Sequence, residues 1–219
     1  GARVTAHHFR TPWSGPPGAV QSVGCDLRQI DQIASMVEKA RAGFGPVDVL
    51  INSASDFYPT ETATCSQSEW DDLLGLNLKA PFFLAQACAA DLKMRQGYLL
   101  NLCDIHVSQP LRRFAPYSAS KGGLWTLTRV LAAEWAPHVR VNSISPGPVL
   151  PPENFTTEQL ERAAARIGAE PELVVQPQQS LRLLGRFVEA AESRERGDQH
   201  AVGEADRAIA LDSYVFERA

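Results

Sequence analysis

Val47-Asp48-Val49-Leu50-Ile51-Asn52-Ser53-Ala54-Ser55 changes character at Asn52. Up to Ile51 it is a short, mostly apolar and β-branched run entered from Gly45-Pro46, the pattern of a buried strand. From Asn52 onward the residues are small and polar, the pattern of a chain leaving a sheet. Two further runs repeat the theme: 98–103 stops at Asp104, and 139–145 stops at Pro146-Gly147. Between the three lie helical stretches, about 68–95, with Ser66 or Ser68 as N-cap, and about 117–136. Strands alternating with helices predict an α/β fold with a parallel sheet covered on both faces. Ligands of such sheets bind at the carboxyl ends of the strands, where Asn52, Asp104 and Pro146-Gly147 fall.

The second helical stretch carries the chemistry. Tyr117 and Lys121, in Tyr117-Ser118-Ala119-Ser120-Lys121, are four residues apart and so share a helix face. An ammonium beside a phenol favours the ionised form and lowers a pKa that is ordinarily about 10. Such a phenol can pass a proton to a carbonyl or imine that is receiving a hydride. The alternative is a surface tyrosine and lysine that merely share a face. The company they keep decides between the two.

That company resembles the short-chain dehydrogenase/reductase family over about 1–185, and the resemblance implies a Rossmann-like, doubly wound parallel sheet. Asn52-Ser53-Ala54 is similar to the family's Asn-Asn-Ala-Gly turn, which supports the central strand and the cofactor. Asn77, in Leu76-Asn77-Leu78-Lys79, matches the helix asparagine that holds a water against the catalytic lysine. Tyr117 and Lys121 match the proton donor and the lysine that also binds the nicotinamide ribose. Pro146-Gly147 matches the turn lying against the nicotinamide. Cys25-Asp26-Leu27 ends a strand where family members set the aspartate against adenine.

Asp104 narrows the resemblance. Most members carry a serine there, whereas the pteridine reductases carry an aspartate. Ser55-Asp56-Phe57-Tyr58-Pro59 is similar to that branch's Ser-x-Phe-Tyr-Pro segment, whose phenylalanine stacks on the pterin. The stretch from Pro146 to Glu153 resembles its Pro-Gly-x-x-Leu-x-Pro-Glu, and His7-His8-Phe9-Arg10-Thr11 resembles its His-Tyr-x-Arg-Ser turn. The resemblance thus implies Asp104, Tyr117, Lys121 and Asn77 as catalytic residues, and Ser55, Phe57, Asp104 and Tyr117 as a substrate site. An aromatic ring such as Phe57 can sandwich a flat pterin, and a carboxyl group can hydrogen-bond its amino-pyrimidine edge. The plainer readings are a strand-end aspartate capping a turn and a phenylalanine in ordinary packing.

Cofactor choice follows from the first strand. It leads to Arg10-Thr11 with no acidic residue to grip a ribose 2′-hydroxyl, so an arginine that can pair with a 2′-phosphate predicts NADP. The alternative is a solvated surface arginine. His7 and His8 have no further ligand at metal-like spacing nearby, and no metal is expected.

The 219 residues, 44% hydrophobic and 21% charged, suffice for one α/β domain. A net charge of −4 gives no support for nucleic-acid binding. No apolar stretch reads as a membrane span and no signal peptide is visible. Cys25, Cys65, Cys88 and Cys103 are scattered without a paired motif, as in a cytoplasmic, reducing compartment.

Two departures from the family are expected. The chain opens at what would be the family's second strand, without the first strand and its Gly-rich turn. The reductase-like domain spans 1–186, and 187–219 is a divergent, charged segment with little strand pattern. Three functions remain open: an NADP-dependent pteridine reductase, a ketone reductase of the same family such as one acting on 3-oxoacyl thioesters, and a non-catalytic degraded homologue. Leu124, Leu127 and Leu131 recur at helical spacing beside Trp125, a stripe for a homo-oligomer or for the chain's own sheet.

Overall fold

The computed structural model describes residues 2–12 and 20–146. Its elements are β1 (Val4–His8), β2 (Val20–Gly24), α1 (Ile30–Phe44), β3 (Val49–Asn52), α2 (Gln67–Leu74), a π-helical segment (Gly75–Lys79), α3 (Ala80–Met94), β4 (Tyr98–Leu102), α4 (Ala115–Trp135) and β5 (Arg140–Ile144). The described residues fall into two compact units, one of 2–12, 20–101 and 110–143, the other of 102–109 and 144–146.

The first unit holds the α/β architecture. β1 pairs in parallel with β2, Val4 opposite Val20, and β3 pairs in parallel with β4, Val49 opposite Tyr98. β5 adds to the second of these sheets, in the order β3-β4-β5. Parallel neighbours cannot be joined by a tight turn, so helices carry the crossovers. The expected parallel α/β fold is present, but its strands form two sheets. Val4 of β1 and Ile51 of β3 are accordingly exposed.

α1 is a helix that the sequence reading did not place. Ile33, Met36 and Val37 repeat at i, i+3, i+4 and are buried, while Asp31 in the first turn and Arg41 in the last suit the helix dipole. It stops at Gly45, whose φ of 87° lies in the left-handed region that favours glycine. Arg41 then ties α1 to α3: its Nε donates to Asp91 Oδ2 at 2.7 Å, and Nη2 to the Ala87 carbonyl at 2.9 Å. Burial pushes the Asp91 carboxyl up, but the Arg41 and Val47 N–H hydrogen bonds outweigh it and hold the group below its ordinary value. Beneath lies a core of Ile33, Val37, Leu84, Leu92, Leu99 and Leu131. Gly97 lets β4 begin against β3, since a Cβ there would meet the Asp48 carbonyl oxygen at 2.2 Å.

The helix expected at 68–95 is present but interrupted. Ser66 caps it through a reciprocal capping box with Glu69. Its middle widens into the π segment, where Gly75 is a poor helix former and Asn77 is drawn into buried hydrogen bonds. By length and composition, the whole run Gln67–Met94 could cross a membrane, contrary to the sequence reading. Its apolar residues Leu73, Leu76, Leu84 and Leu92 are buried in the protein, so the character is that of a core helix. α4 begins at Ala115 with Pro116 in its first turn, where a missing N–H costs nothing. Leu124 and Leu131 are buried within their own chain, whereas Trp125 and Val130 are exposed.

Candidate functional site

α4 sets the site by its period. Tyr117, Ser120, Lys121, Leu124 and Thr128 fall on its buried face. Tyr117 and Lys121 are only 4% and 3% exposed, and Lys121 Nζ lies 5.9 Å from the Tyr117 ring centroid. A lysine is almost never this buried unless its charge is used, so the pair is no chance sharing of a surface. Gly123 allows the close packing, because a Cβ there would meet Leu78 of the π segment at 2.8 Å.

Asn77 clasps the loop after β3 against α4. Its Oδ1 accepts from the Asp56 N–H at 2.9 Å and from Ser55 Oγ at 3.1 Å. Its Nδ2 donates to the Asp56 carbonyl at 2.9 Å and to Ser120 Oγ at 3.2 Å, and Ser120 Oγ donates to the Tyr117 carbonyl at 2.7 Å. Both donors and both lone pairs are used. With its side chain fully engaged, the amide acts as a brace. Ser120 was missed in the sequence, although it sits between Tyr117 and Lys121.

A second polar chain supports the strand end. Asn52 Nδ2 donates to Asn101 Oδ1 at 2.8 Å, Asn101 Nδ2 donates to Thr128 Oγ1 at 2.9 Å, and Thr128 Oγ1 donates to the Leu124 carbonyl at 2.8 Å. Asn101 and Thr128 carried no sequence signal beyond being polar in apolar surroundings. Asn52 Oδ1 is buried without a hydrogen-bond partner, and Ser53 and Ala54 beside it are exposed. An unsatisfied buried acceptor next to exposed backbone at a strand's carboxyl end fits a polar ligand such as a dinucleotide.

Phe57 belongs to an aromatic group. Its ring stacks on Phe114 with centroids 4.5 Å apart and meets Tyr117 edge-on at 4.7 Å. Phe114 is the N-cap of α4, and the segment is fixed there by a parallel bridge between Thr60 and Phe114. Phe57 remains 41% exposed, so it is not ordinary core packing. On the other side of the same loop, Arg28 donates to Asp56 Oδ2 and, at 2.5 Å, to Asp72 Oδ1. Tyr58 donates to Asp72 Oδ2 at 2.7 Å. Burial pulls the Arg28 guanidinium down, but Asp72 and Asp56 outweigh it and raise it. Burial and then Asp72 push the Tyr58 phenol up. Neither Arg28 nor Asp72 was singled out in the sequence.

The remaining expected residues have local partners of their own. Asp26 Oδ1 accepts the Arg28 N–H at 3.0 Å, and the Leu27 side chain is in the core. Arg10 and Thr11 are exposed, the Arg10 guanidinium lying 5.0 Å from the Phe9 ring centroid. Asp104 belongs to the second unit, where its Oδ1 accepts the His106 N–H at 2.8 Å and caps a 3₁₀ turn, Ile105–Val107. In that unit the Ile105 N–H also donates to the Pro146 carbonyl at 2.9 Å. Gly147 and 187–219 lie outside the described residues. Among the described residues, no group of three or more His, Cys, Asp or Glu is placed to hold a metal ion.

A family model described as short chain dehydrogenase matches residues 14–162. A 2-dehydro-3-deoxy-D-gluconate 5-dehydrogenase of Escherichia coli is 37% identical over 129 residues, covering 58% of this chain and 51% of that protein. A gluconate 5-dehydrogenase of Gluconobacter oxydans is 32% identical, covering 64% of this chain and 53% of that one. The chain spans about half the length of these relatives. Among solved structures, an alternative dihydrofolate reductase (FolM) from Brucella canis, complexed with NADP, superposes with a TM-score of 0.61 at 34% identity. That match covers 67% of this chain and 58% of the reductase.

Proposed function

From the premise that this chain belongs to the short chain dehydrogenase family, we propose that it is an NAD(P)-dependent oxidoreductase in which Tyr117 is the acid–base group. The observation that carries the reading is the joint burial of Tyr117 and Lys121 beside the exposed Phe57 ring. A bound nicotinamide supplies the hydride. Tyr117 Oη gives its proton to the substrate nitrogen or oxygen as the neighbouring carbon is reduced, and takes one up in the reverse direction. Lys121 stabilises the phenolate left behind. Asn77 keeps Tyr117 and the Phe57 loop in one frame through Ser120 and Asp56.

Asn52, Ser53, Ala54, Asp26, Leu27, Tyr117 and Lys121 are proposed to hold the cofactor, with Pro146 and Gly147 added on the sequence motif alone. Arg10 and Thr11 would read a 2′-phosphate, making it NADP. The orphaned Asn52 Oδ1 and the exposed Arg10 support this assignment. Exposed Trp125 and Val130 on α4 support a homo-oligomer, and four free cysteines support a cytoplasmic setting.

For the substrate, a pterin is the preferred reading. Phe57 offers a flat platform beside the proton donor, and the dihydrofolate reductase from Brucella canis is among the structural neighbours. The roles of Asp104 toward the pterin edge and of Ser55 as a contact rest on the sequence motif alone. A second reading, oxidoreduction at a sugar-acid carbonyl, is favoured by the two gluconate-type relatives. Cofactor oxidation measured with a dihydropterin and with a keto-gluconate separates them. Turnover of the dihydropterin alone supports the first, turnover of the sugar acid alone supports the second, and none with either defeats both.

A further inference from the structure

Phe57 is flanked by two residues that answer to a single guanidinium. Asp56, before it, is buried and bonded to Arg28 Nη2. Tyr58, after it, donates to Asp72, whose other oxygen accepts from Arg28 Nε. Both neighbours are therefore pulled toward the Arg28 side of the loop, while Phe57 itself projects to Phe114 and Tyr117. Asp56 is gripped again at its backbone N–H and carbonyl by Asn77.

We propose that Arg28 is a positioning residue that sets substrate selectivity by fixing the Phe57 ring beside Tyr117. A charged pair in partly buried surroundings has few alternative geometries, because breaking it strands a charge away from water. Arg28 forms a fork between the loop and α2, joining two elements that are otherwise connected through 59–66. Releasing that fork lets 56–58 relax, and the ring is the part of the loop that projects toward the donor. Arg28 reaches no reacting atom. Its effect passes through Asp56 and Tyr58. The inference rests on Tyr117 being the proton donor for its kinetic consequence, but not for its structural one.

The test uses two readouts on the protein carrying para-fluorophenylalanine, the Phe57 fluorine signal being assigned by its loss in Phe57→Leu. In Arg28→Met that signal should shift and broaden, and KM for the preferred substrate should rise by roughly tenfold, with smaller changes in kcat and in cofactor KM, the latter because Arg28 also pairs with Asp26. Arg28→Lys keeps the charge without the fork and should recover part of both. Should Arg28→Met fail to fold, Tyr58→Phe removes the phenol's bonds to Asp72 and to the Glu69 carbonyl and should give the same changes, smaller, the added fluorine signal of residue 58 being the one that Phe57→Leu leaves in place. An unmoved fluorine signal in a folded variant would overturn the proposal, whatever its melting temperature. So would a rise in cofactor KM instead of substrate KM, which would place Arg28 at the dinucleotide. Absence of turnover in the unmodified protein would defeat the functional reading alone, and the fluorine signal would still decide this one.

Discussion

Arg28 and Arg41 stand at the two ends of α1 and use the same chemistry to different ends. Each binds more than one carboxylate, Arg41 taking Glu38 and Asp91, Arg28 taking Asp26, Asp56 and Asp72. Arg41 spans two helices that already share an apolar interface through Ile33, Val37, Leu84 and Leu92. Its ion pair adds stability to a contact that burial has fixed. Arg28 spans a loop and a short helix, and its bonds, together with those of Asn77, hold the loop in place. A guanidinium among packed helices is a staple; beside an aromatic loop it is a ruler.

The largest expected effect lies on neither arginine. Tyr117→Phe should lower kcat by on the order of 10²–10⁴-fold while leaving the melting temperature nearly unchanged, since only a hydroxyl is lost. Steady-state kinetics and a thermal melt check it. An equal loss from an Arg41 variant would erase the contrast between the two regions.

Next comes the brace on the Arg28 side. Asn77→Leu removes four hydrogen bonds, those to the Asp56 N–H and carbonyl and to the hydroxyls of Ser55 and Ser120. It should cost about 3 kcal/mol in urea unfolding and also depress turnover. Stability loss without a kinetic change would make this region a staple like the other.

Arg10→Ala probes the strand that precedes both. It should weaken NADPH binding by about 1.5–3 kcal/mol and NADH binding much less, because only NADPH carries the 2′-phosphate. Equal losses in titration would show that Arg10 is structural.

The smallest effect belongs to the staple. Asp91→Asn should destabilise by about 1 kcal/mol near neutral pH and leave KM and kcat alone. The Asp91 carboxyl titrates below its ordinary value, so its contribution is complete above pH of about 5 and fades as pH falls below about 4. Wild type and variant should therefore converge in acid unfolding, and a gap that widens there would reverse the sign.

How much of this the sequence showed follows from the range of each signal. β3, β4, β5 and α4 announce themselves through short apolar runs and polar stops, and Tyr117 with Lys121 through helical spacing. α1 was passed over because its apolar residues are diluted by Asp31, Gln32, Glu38, Lys39 and Arg41, although its i, i+3, i+4 stripe was there to be counted. The π segment was not legible, because an extra residue per turn is imposed by Asn77's tertiary partners. The Arg28 network joins residues 26, 28, 56, 58 and 72, and nothing in a linear pattern says which carboxylate a guanidinium will meet. The aromatic group was half visible: Phe57 stood out through a motif, while Phe114 looked like an ordinary residue ahead of a helix.

The central claim is that hydride transfer in this protein is completed by a proton from Tyr117. Its most direct test follows deuterium from nicotinamide cofactor labelled at the transferable position into the product by mass spectrometry, in wild type and in Tyr117→Phe. One deuterium on the reduced carbon in the wild-type product, and essentially none formed by Tyr117→Phe, is the predicted result. Label transferred at the same rate by both proteins, or by neither, would contradict it.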